Sequence, residues 1–472
     1  MSLRALHSAR SGLLAQQRAL EVVSGNIANV NTPGYTRRRL QMSPLVPERG
    51  QFGTGVRADR LLSFRSQYLD ARIRELLSRQ GQTQTDMYVL QQLSALLGEP
   101  QSQTGLNALF ERFFEALQQL VLQPENLAFR ELLLERAEEL AGAFRRLGGD
   151  LQQLRTELFQ QLQQQVTHLN QLLERMAELN RERTLAPEGS ERALALTDEQ
   201  ARLLEELSRS VPVTVHEDAR GRLTLFLAGQ VAVEGEEALR LQLGTRRDSA
   251  SGEEHAVLQL ARASGQVVAE LSFPEGELGS LLWHFNVTLD PDESSAEFSV
   301  PRQLNHLVAR WVESVNGILA QGYGLEDTAP PPPGRRLFEG STMQTLRVSP
   351  EVAANPRALP LSAAPAQPGD STIAQRLLQL AEDTSFAEGM TPQGFYNALV
   401  SRLGEHMSRA RSQQEWMAAS VQQLEAQRQA LSGVNLDEEA ADLIRYQKAY
   451  EASARVLTVA ASLLDTLIRM GT

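Results

Sequence analysis

The chain is expected to be mainly α-helical with a β-rich insertion, and three observations lead there. Apolar residues recur at spacings of three and four over most of its 472 positions. Between 211 and 275 that spacing becomes two, the period of a half-buried strand. The two ends carry matching seven-residue repeats, the period of helices that pair in a coiled coil. The expected organisation follows: paired N- and C-terminal coiled-coil helices (1–40 with 430–472), a long-helix bundle in the middle (41–210 with 276–429), and a small antiparallel β domain (211–275).

The first helix is expected over 3–28. Leu6, Leu13, Leu20 and Ile27 recur every seven residues, and Ala9, Val23 and Val30 follow members of that series by three. Asn31-Thr32-Pro33-Gly34-Tyr35 ends it, because proline cannot continue a helix and glycine supplies the turn. Residues 36–60 read as extended and loop-like, punctuated by Pro44, Pro47, Gly50, Gly53 and Gly55. Helices follow over 64–97 and 105–122, the latter ended by Pro124.

A long helix is expected over 126–183. Its stripe runs through Leu140, Phe144, Leu147, Leu151, Leu154, Leu158, Leu162, Val166, Leu169, Leu173 and Met176. Consecutive spacings of four around Leu158 displace it from a strict heptad. Gly148-Gly149 is a weak point where a bend is expected, at about 1 kcal/mol per glycine relative to alanine. Another helix spans 190–209, capped by Ser190. Alternation then takes over in Val211/Val213/Val215, Leu223/Leu225/Leu227, Val231/Val233, Leu239/Leu241/Leu243 and Leu258/Leu260, with turns at 218–221, 228–230 and 264–266. This reads as an inserted module whose replacement by a short linker leaves the helical part folded.

Helical spacing returns over 277–321, interrupted near Asp290-Pro291. Pro330–Pro333 forms a stiff exposed segment, and the prolines of 347–370 mark an irregular tethering stretch. Helices resume over 371–383 and 391–432. The last, 436–470, carries Leu436, Leu443, Tyr450, Leu457 and Leu464, with Tyr446, Ala460 and Leu467 three places after members of that series.

Composition excludes several functions. Forty-six basic against 58 acidic side chains leave a net charge of −12, which argues against a general nucleic-acid or anionic-membrane binder. The absence of cysteine excludes disulfides, thiolate metal sites and cysteine nucleophiles. No stretch reads as a membrane span or a cleavable signal peptide. His7, His168, His216, His255, His284, His306 and His406 are scattered without metal-ligand spacing. The single lysine, Lys448, is far from any glycine-rich turn, so there is no phosphate loop. Gly50-Gln51-Phe52-Gly53-Thr54-Gly55 reads as a loop rather than a dinucleotide fingerprint. There is no nucleophile elbow. Asn286-Val287-Thr288 is a formal glycosylation sequon, read as chance. Asp437-Glu438-Glu439 is a helix first turn, where negative charge favours the dipole, rather than an acid–base pair. No catalytic residue, cofactor or metal is expected.

The remaining candidates lie at the two ends. Asn26, Asn29 and Asn31 suit helix C-capping, yet capping explains one asparagine and not three in six residues. A structural role in the bend that also serves subunit packing is the favoured reading. The terminal heptads read either as ordinary core helices or as an assembly seam.

The segment Ser24-Gly25-Asn26-Ile27-Ala28-Asn29-Val30-Asn31-Thr32-Pro33-Gly34-Tyr35-Thr36-Arg37 resembles the N-terminal signature of bacterial flagellar axial proteins, the rod, hook and hook-associated class. Ser432-Gly433-Val434-Asn435-Leu436-Asp437-Glu438-Glu439, followed by Leu443-Ile444-Arg445-Tyr446-Gln447-Lys448-Ala449-Tyr450, resembles their C-terminal signature. Gly34–Arg37 and Ser432–Glu439 are closer to the hook-associated members than to rod and hook proteins.

The resemblance implies a structural protein connecting hook to filament. The paired terminal helices line the inner tube, the helical domain forms the next shell and the β domain faces outward. It implies export through the flagellar type III apparatus without a cleaved signal, and self-assembly into a ring or helical layer. Its implied partners are the hook protein, the next hook-associated protein and an export chaperone near the C-terminus, with neither nucleic acid nor membrane insertion. With it, the assembly seam is preferred. The N-terminal assembly set is Leu6, Leu13, Leu20, Asn26, Ile27, Asn29, Asn31, Pro33, Gly34 and Tyr35. The C-terminal set is Gly433, Asn435, Leu436, Leu443, Tyr446, Tyr450, Leu457 and Leu464. The alternatives are a hook or distal rod protein and, from another class, a cytoplasmic coiled-coil scaffold.

Overall fold

The computed structural model describes residues 2–45, 55–98, 105–247, 254–291 and 298–471. Pro47, Gly50 and Gly53, read above as loop punctuation, lie outside them. Helix α1 spans Ser2–Ala28. The stretch after it is more ordered than a loop. Strands β1 (Arg38–Pro44) and β2 (Val56–Ser63) pair antiparallel from Arg38 opposite Ser63 to Pro44 opposite Val56. The strands carry too many arginines and too little alternation to announce themselves.

The helical body begins with α2 (Gln67–Leu97) and α3 (Leu106–Leu122). Helix α4 then runs unbroken from Leu127 to Leu185. The helix is not interrupted at Gly148-Gly149. A Cβ on Gly148 would lie 3.0 Å from the Met343 Cβ, so this glycine admits a crossing segment rather than weakening the helix. Helix α5 (Glu191–Ser210) is capped by Ser190, whose hydroxyl accepts from the Ala193 N–H at 3.1 Å.

Two antiparallel meanders follow, both in sequential order. One holds β3 (Val213–Glu217), β4 (Leu223–Leu227), β5 (Gln230–Glu234) and β6 (Glu237–Ala238). The other holds β7 (Arg240–Arg247), β8 (Glu254–Ala261) and β9 (Val267–Leu271). Their buried side chains, among them Leu225, Val233, Leu241, Leu258 and Leu260, join one continuous core with Leu162, Val166, Leu169 and Leu173 of α4.

Two asparagines of α4 fasten the sheets. Asn170 exchanges both amide bonds with the Leu241 backbone at 2.8–2.9 Å. Asn180, fully buried, donates to Leu223 O and Gly235 O at 2.8 Å and accepts from Leu223 N at 2.9 Å. Removing this region would uncover the middle of α4.

Helix α6 (Gly276–Trp283) runs into a π-helical turn, His284–Thr288, and α7 covers Val300–Leu319. Trp311 of α7 is fully buried among Phe110, Phe113 and Phe114 of α3, with ring centroids 5.1–5.8 Å apart and steep edge contacts. The proline-rich stretch contains a two-residue ribbon, β10 (Phe338–Glu339) with β11 (Arg347–Val348), and the short α8 (Pro350–Ala354). Pieces this short carry no period to read. Buried Arg130 ties the stretch to α4, donating to Leu359 O at 2.8 Å and to Pro124 O at 2.7 Å.

Helices α9 (Thr372–Gln379), α10 (Pro392–Ser432) and α11 (Leu436–Gly471) complete the chain. Among the described residues no helix is long and apolar enough to cross a membrane. The main core runs from Met87 to Ala410, and a satellite between α2 and α10 holds Ile73, Leu76, Leu77, Met417 and Val421. No described residue before Ile73 or after Leu424 belongs to either. The described residues of the two ends pack against each other outside both cores.

Candidate assembly interface

Helices α1 and α11 pack against each other in opposite directions. Gly12 lies beside Ser453, and Asn26 beside Glu439. The deepest positions of α1 are small: Ala9, Ala15, Ala19 and Val23, with Ala460 on α11. A Cβ on Gly12 would sit 3.3 Å from the Ser453 hydroxyl, which shows how closely the helices approach. The predicted seam residues Leu6, Leu13, Leu20 and Ile27, and Leu443, Tyr446, Tyr450, Leu457 and Leu464, are half-buried. Two helices alone cannot enclose a leucine; small residues reach the axis of the pair, and the leucines stand at its edges.

The asparagine-rich turn closes the N-terminal side. Asn29 caps α1, donating from its side chain to Gly25 O at 2.9 Å and accepting from the Thr32 hydroxyl at 3.1 Å. Gly34 turns the chain with φ +79°. Asn31 and Pro33 are exposed.

Asn26 is the centre. Its amide donates to Arg38 O at 2.9 Å and to the Glu439 carboxylate at 3.0 Å. Its carbonyl accepts from Arg38 N at 3.0 Å and from the Tyr35 hydroxyl at 2.9 Å. Burial raises the Tyr35 phenol above its ordinary range, with Arg38 opposing. The Arg37 guanidinium bonds Glu438 and reaches Glu439 at 2.7 Å. Burial pulls the Arg37 pKa down, yet these carboxylates outweigh it and hold the charge above its ordinary value. The turn thus binds the first residues of α11 by charge-assisted bonds, which are stronger than neutral ones.

The opposite side is prepared by the α10–α11 break. A Cβ on Gly433 would lie 2.3 Å from Gln429 O, so only glycine fits there. Asn435 then caps α11, its side chain accepting from Asp437 N at 3.0 Å. Leu436 is half-exposed.

Several contributors escaped the sequence reading. Glu439, read only as a helix-start charge, is almost fully buried as the shared acceptor of Asn26 and Arg37. Asp198 of α5 accepts from the Thr36 hydroxyl at 2.7 Å and from Arg38 at 3.1 Å. No local pattern marks either residue. A further stripe on α11 was legible but unread: Val456, Val459, Leu463 and Met470 share one face of the helix and are each more than half exposed. Apolar side chains left this open mark contact surfaces.

The histidines form no comparable site. His284 lies 3.1 Å from Asp86 and 2.9 Å from the Thr288 hydroxyl; His255 lies 3.2 Å from Asp290; His406 stacks on Phe298. These three line one cleft of about 750 Å³. Burial, then Arg409 and Arg402, lower the His406 pKa. Among the described residues no group of His, Asp and Glu is placed to hold a metal ion. The sequon is occupied structurally: the Asn286 side chain exchanges both bonds with the Ala256 backbone, and Thr288 is buried.

Comparison with known proteins points to one class. The model for the helical domain of flagellar hook-associated protein FlgK matches residues 90–338. The flagella basal body rod protein model matches 6–36, and the model for the C-terminal part of the flagellar basal body rod FlgEFG proteins matches 421–470. Flagellar hook-associated protein 1 of Bacillus subtilis (strain 168) is 25% identical over 506 aligned positions, covering 98% of this chain and 97% of that protein. Its counterpart in Salmonella typhimurium is 24% identical over 560 positions, covering 98% and 99%. The flagellar hook junction protein FlgK from Burkholderia pseudomallei shares the fold, with a TM-score of 0.64 at 15% identity over 77% of this chain and 100% of that one.

Proposed function

The chain belongs to the family of flagellar hook-associated protein FlgK, and from that premise we propose that it assembles at the hook–filament junction and connects hook to filament. One observation carries the reading: the terminal pair is held shut by the Asn26–Arg37–Glu439 network while its apolar stripe on α11 is left open. A finished globular unit would cover that stripe; a subunit that completes itself against neighbours leaves it available. The half-buried leucines at the edges of the pair fit the same role, since lateral packing would bury what two helices cannot. Leu6, Leu13, Leu20 and Ile27 with Leu443, Tyr446, Tyr450, Leu457 and Leu464 are the proposed seam. Asn26, Asn29, Asn31, Pro33, Gly34, Tyr35, Gly433, Asn435 and Leu436 shape its closed end.

The same reading divides the chain into the terminal unit, a helical middle part and an outward β part. It places the protein outside the cell, exported through the flagellar apparatus with an uncut N-terminus. Its partners are further copies of itself, the hook protein, the next hook-associated protein and an export chaperone near the C-terminus. It performs no catalysis.

A deletion strain tests the reading: hooks should remain, filaments should be missing and filament subunits should accumulate in the medium. Loss of the hooks themselves would transfer the role to a hook or rod protein. Protein recovered from sheared flagella should have the mass of the unprocessed chain.

A further inference from the structure

Helix α4 carries a surface unlike the rest of this acidic chain. From Leu158 to Leu173 sixteen residues pass without an Asp, Glu, Lys or Arg, the longest such stretch in the sequence, although 22% of the chain is charged. One side of the stretch is the leucine stripe that joins the core. The outer side is uncharged as well. Thr156, Gln160, Gln163, Gln164, Thr167 and Gln171 follow one another by three or four positions where they share a face, and all are exposed.

Helix α2 continues this face. Gln84, Tyr88, Gln91, Gln92 and Ala95 repeat the same spacing and are exposed. The two rows meet where Gln161 donates to the Tyr88 hydroxyl at 3.4 Å. A groove of about 390 Å³ opens there, lined by Gln84, Tyr88, Gln161, Gln164 and Gln165. Its acidic and imidazole members are already engaged: Glu277 accepts from Gln165 at 3.3 Å, and His168 lies 3.1 Å from Glu206. The side-chain oxygen of Gln165 is buried and has no hydrogen-bond partner among the described residues. A buried acceptor left unpaired costs free energy, which a donor entering the groove would recover.

We infer that this amide belt on α2 and α4 is the face by which the helical body packs against a second copy of the chain. The inference deepens the assembly reading above and rests on it. Two physical arguments select that occupant. Copies that each carry a net charge of −12 repel one another, and they approach at least cost where no charge has to be desolvated or matched. A face built for an oppositely charged partner would instead concentrate one sign. An amide side chain also carries donors and an acceptor together, so it pairs with either kind of polar group on a neighbour. Tyr88 adds the aromatic contact that interface centres favour, and the scarcity of charge around it is their usual composition.

Site-specific photo-cross-linking tests the belt. Photoreactive benzoylphenylalanine replaces Gln164 in one strain and Gln91 in another; a reference strain carries it at Arg220, exposed in the turn between β3 and β4. Cells are irradiated whole, and adducts are read by immunoblot in the sheared flagella and in the remaining cells. Both belt positions should give an adduct of twice the mass of the chain, and Arg220 should not. An adduct with a different protein, no adduct, or an equal yield from Arg220 overturns the inference. A belt homodimer present in cells and absent from flagella would support the belt and fail the assembly reading, so the two fail separately.

A second measurement changes the charge. Gln160→Glu with Gln164→Glu sets like charges across the belt, whereas Gln160→Ser with Gln164→Ser leaves it neutral. Both positions are exposed, so the purified glutamate variant should keep the parent melting temperature and still be exported, yet cells should lose their filaments. The serine variant should keep them. Normal filaments from the glutamate variant overturn the inference. So does a fall in its melting temperature, which would make the belt part of the subunit's own fold.

Discussion

Asn26 and Glu439 stand 413 positions apart in the chain, and their side chains meet at 3.0 Å in a buried site. Each serves a second partner: Asn26 holds both backbone polar atoms of Arg38, and Glu439 holds the Arg37 guanidinium. One side of the terminal pair is thereby tied to the other at its closed end. Opening this end must break charge-assisted bonds that water cannot replace while the site stays buried.

Asn26→Ala should loosen the terminal pair without touching the body. It orphans buried groups on Arg38 and Glu439, each costing about 1–3 kcal/mol. Each 1.4 kcal/mol is about a tenfold change in an opening equilibrium. Amide exchange in α1 and α11 should therefore accelerate by one to two orders of magnitude, while that of α4 and α7 stays at the parent rate. Equal acceleration in α4 would mean the two units unfold together.

Leu457→Asp and Leu13→Asp should spare the monomer and abolish assembly. Both leucines are half-buried at the edges of the pair, and neither belongs to the body's core. Truncating a fully buried leucine costs about 2–5 kcal/mol, and a desolvated carboxylate adds to that. In the monomer both positions keep access to water, so the full penalty arises only where neighbours cover the seam. Cells should export the variants yet lack filaments. Val459→Asp and Leu463→Asp, on the open stripe, should leave even the helicity of the monomer intact and still fail to assemble. Normal filaments with all four would remove the seam and the stripe from assembly.

Asn180→Leu should be strongly destabilising although it adds apolar volume to the core. The amide meets Leu223 N, Leu223 O and Gln200 in a buried site, and Gly235 O at its part-buried edge. At about 1–3 kcal/mol for each orphaned group, a loss of at least 3 kcal/mol is expected by denaturant titration. Replacing 212–274 by a Gly/Ser linker should also lower the main thermal transition, because Leu162, Val166 and Leu169 lose their cover. A transition kept at the parent temperature in that deletion would show the sheets to be dispensable ornaments.

Acid should loosen the proline-rich stretch through Asp327. The Arg335 guanidinium, bonded at 2.6 and 3.1 Å, is the main cause that holds this carboxylate below its ordinary pKa, with Gly324 N assisting. A depressed folded pKa means stability that is present above the unfolded carboxylate range and lost as pH falls through the folded value. Protease sensitivity around 324–336 should rise below about pH 4, the ordinary aspartate range. In Asp327→Asn it should be high and indifferent to pH over that window. A wild-type segment equally protected at pH 3 and pH 6 would contradict this.

The order of helices and sheets could be read from spacing because each element's own residues report the surface it buries. The stripe from Leu140 to Met176 fixes one face of α4 whatever it packs on, and Ser190 caps its helix through a neighbour three residues on. The alternation in 211–273 likewise needs no knowledge of the partner. The terminal signatures were legible as strings of asparagine, glycine and proline at a turn and a break. Contacts between distant positions decided everything else. The chain alone placed leucines, Ala9 and Val23 on the terminal seam; packing put Ala9, Ala15, Ala19 and Val23 deeper than the leucines, because two helices at close approach have room only for small side chains. It marked Gly148 as a flaw, and the Met343 crossing shows what its missing side chain makes room for. Glu439 and Asp198 looked like surface carboxylates until Asn26, Arg37, Thr36 and Arg38 arrived from more than 150 residues away. Local periodicity encodes which face an element hides, whereas the identity of what covers it is set only when segments remote in the chain compete for the same buried space and the same polar partners.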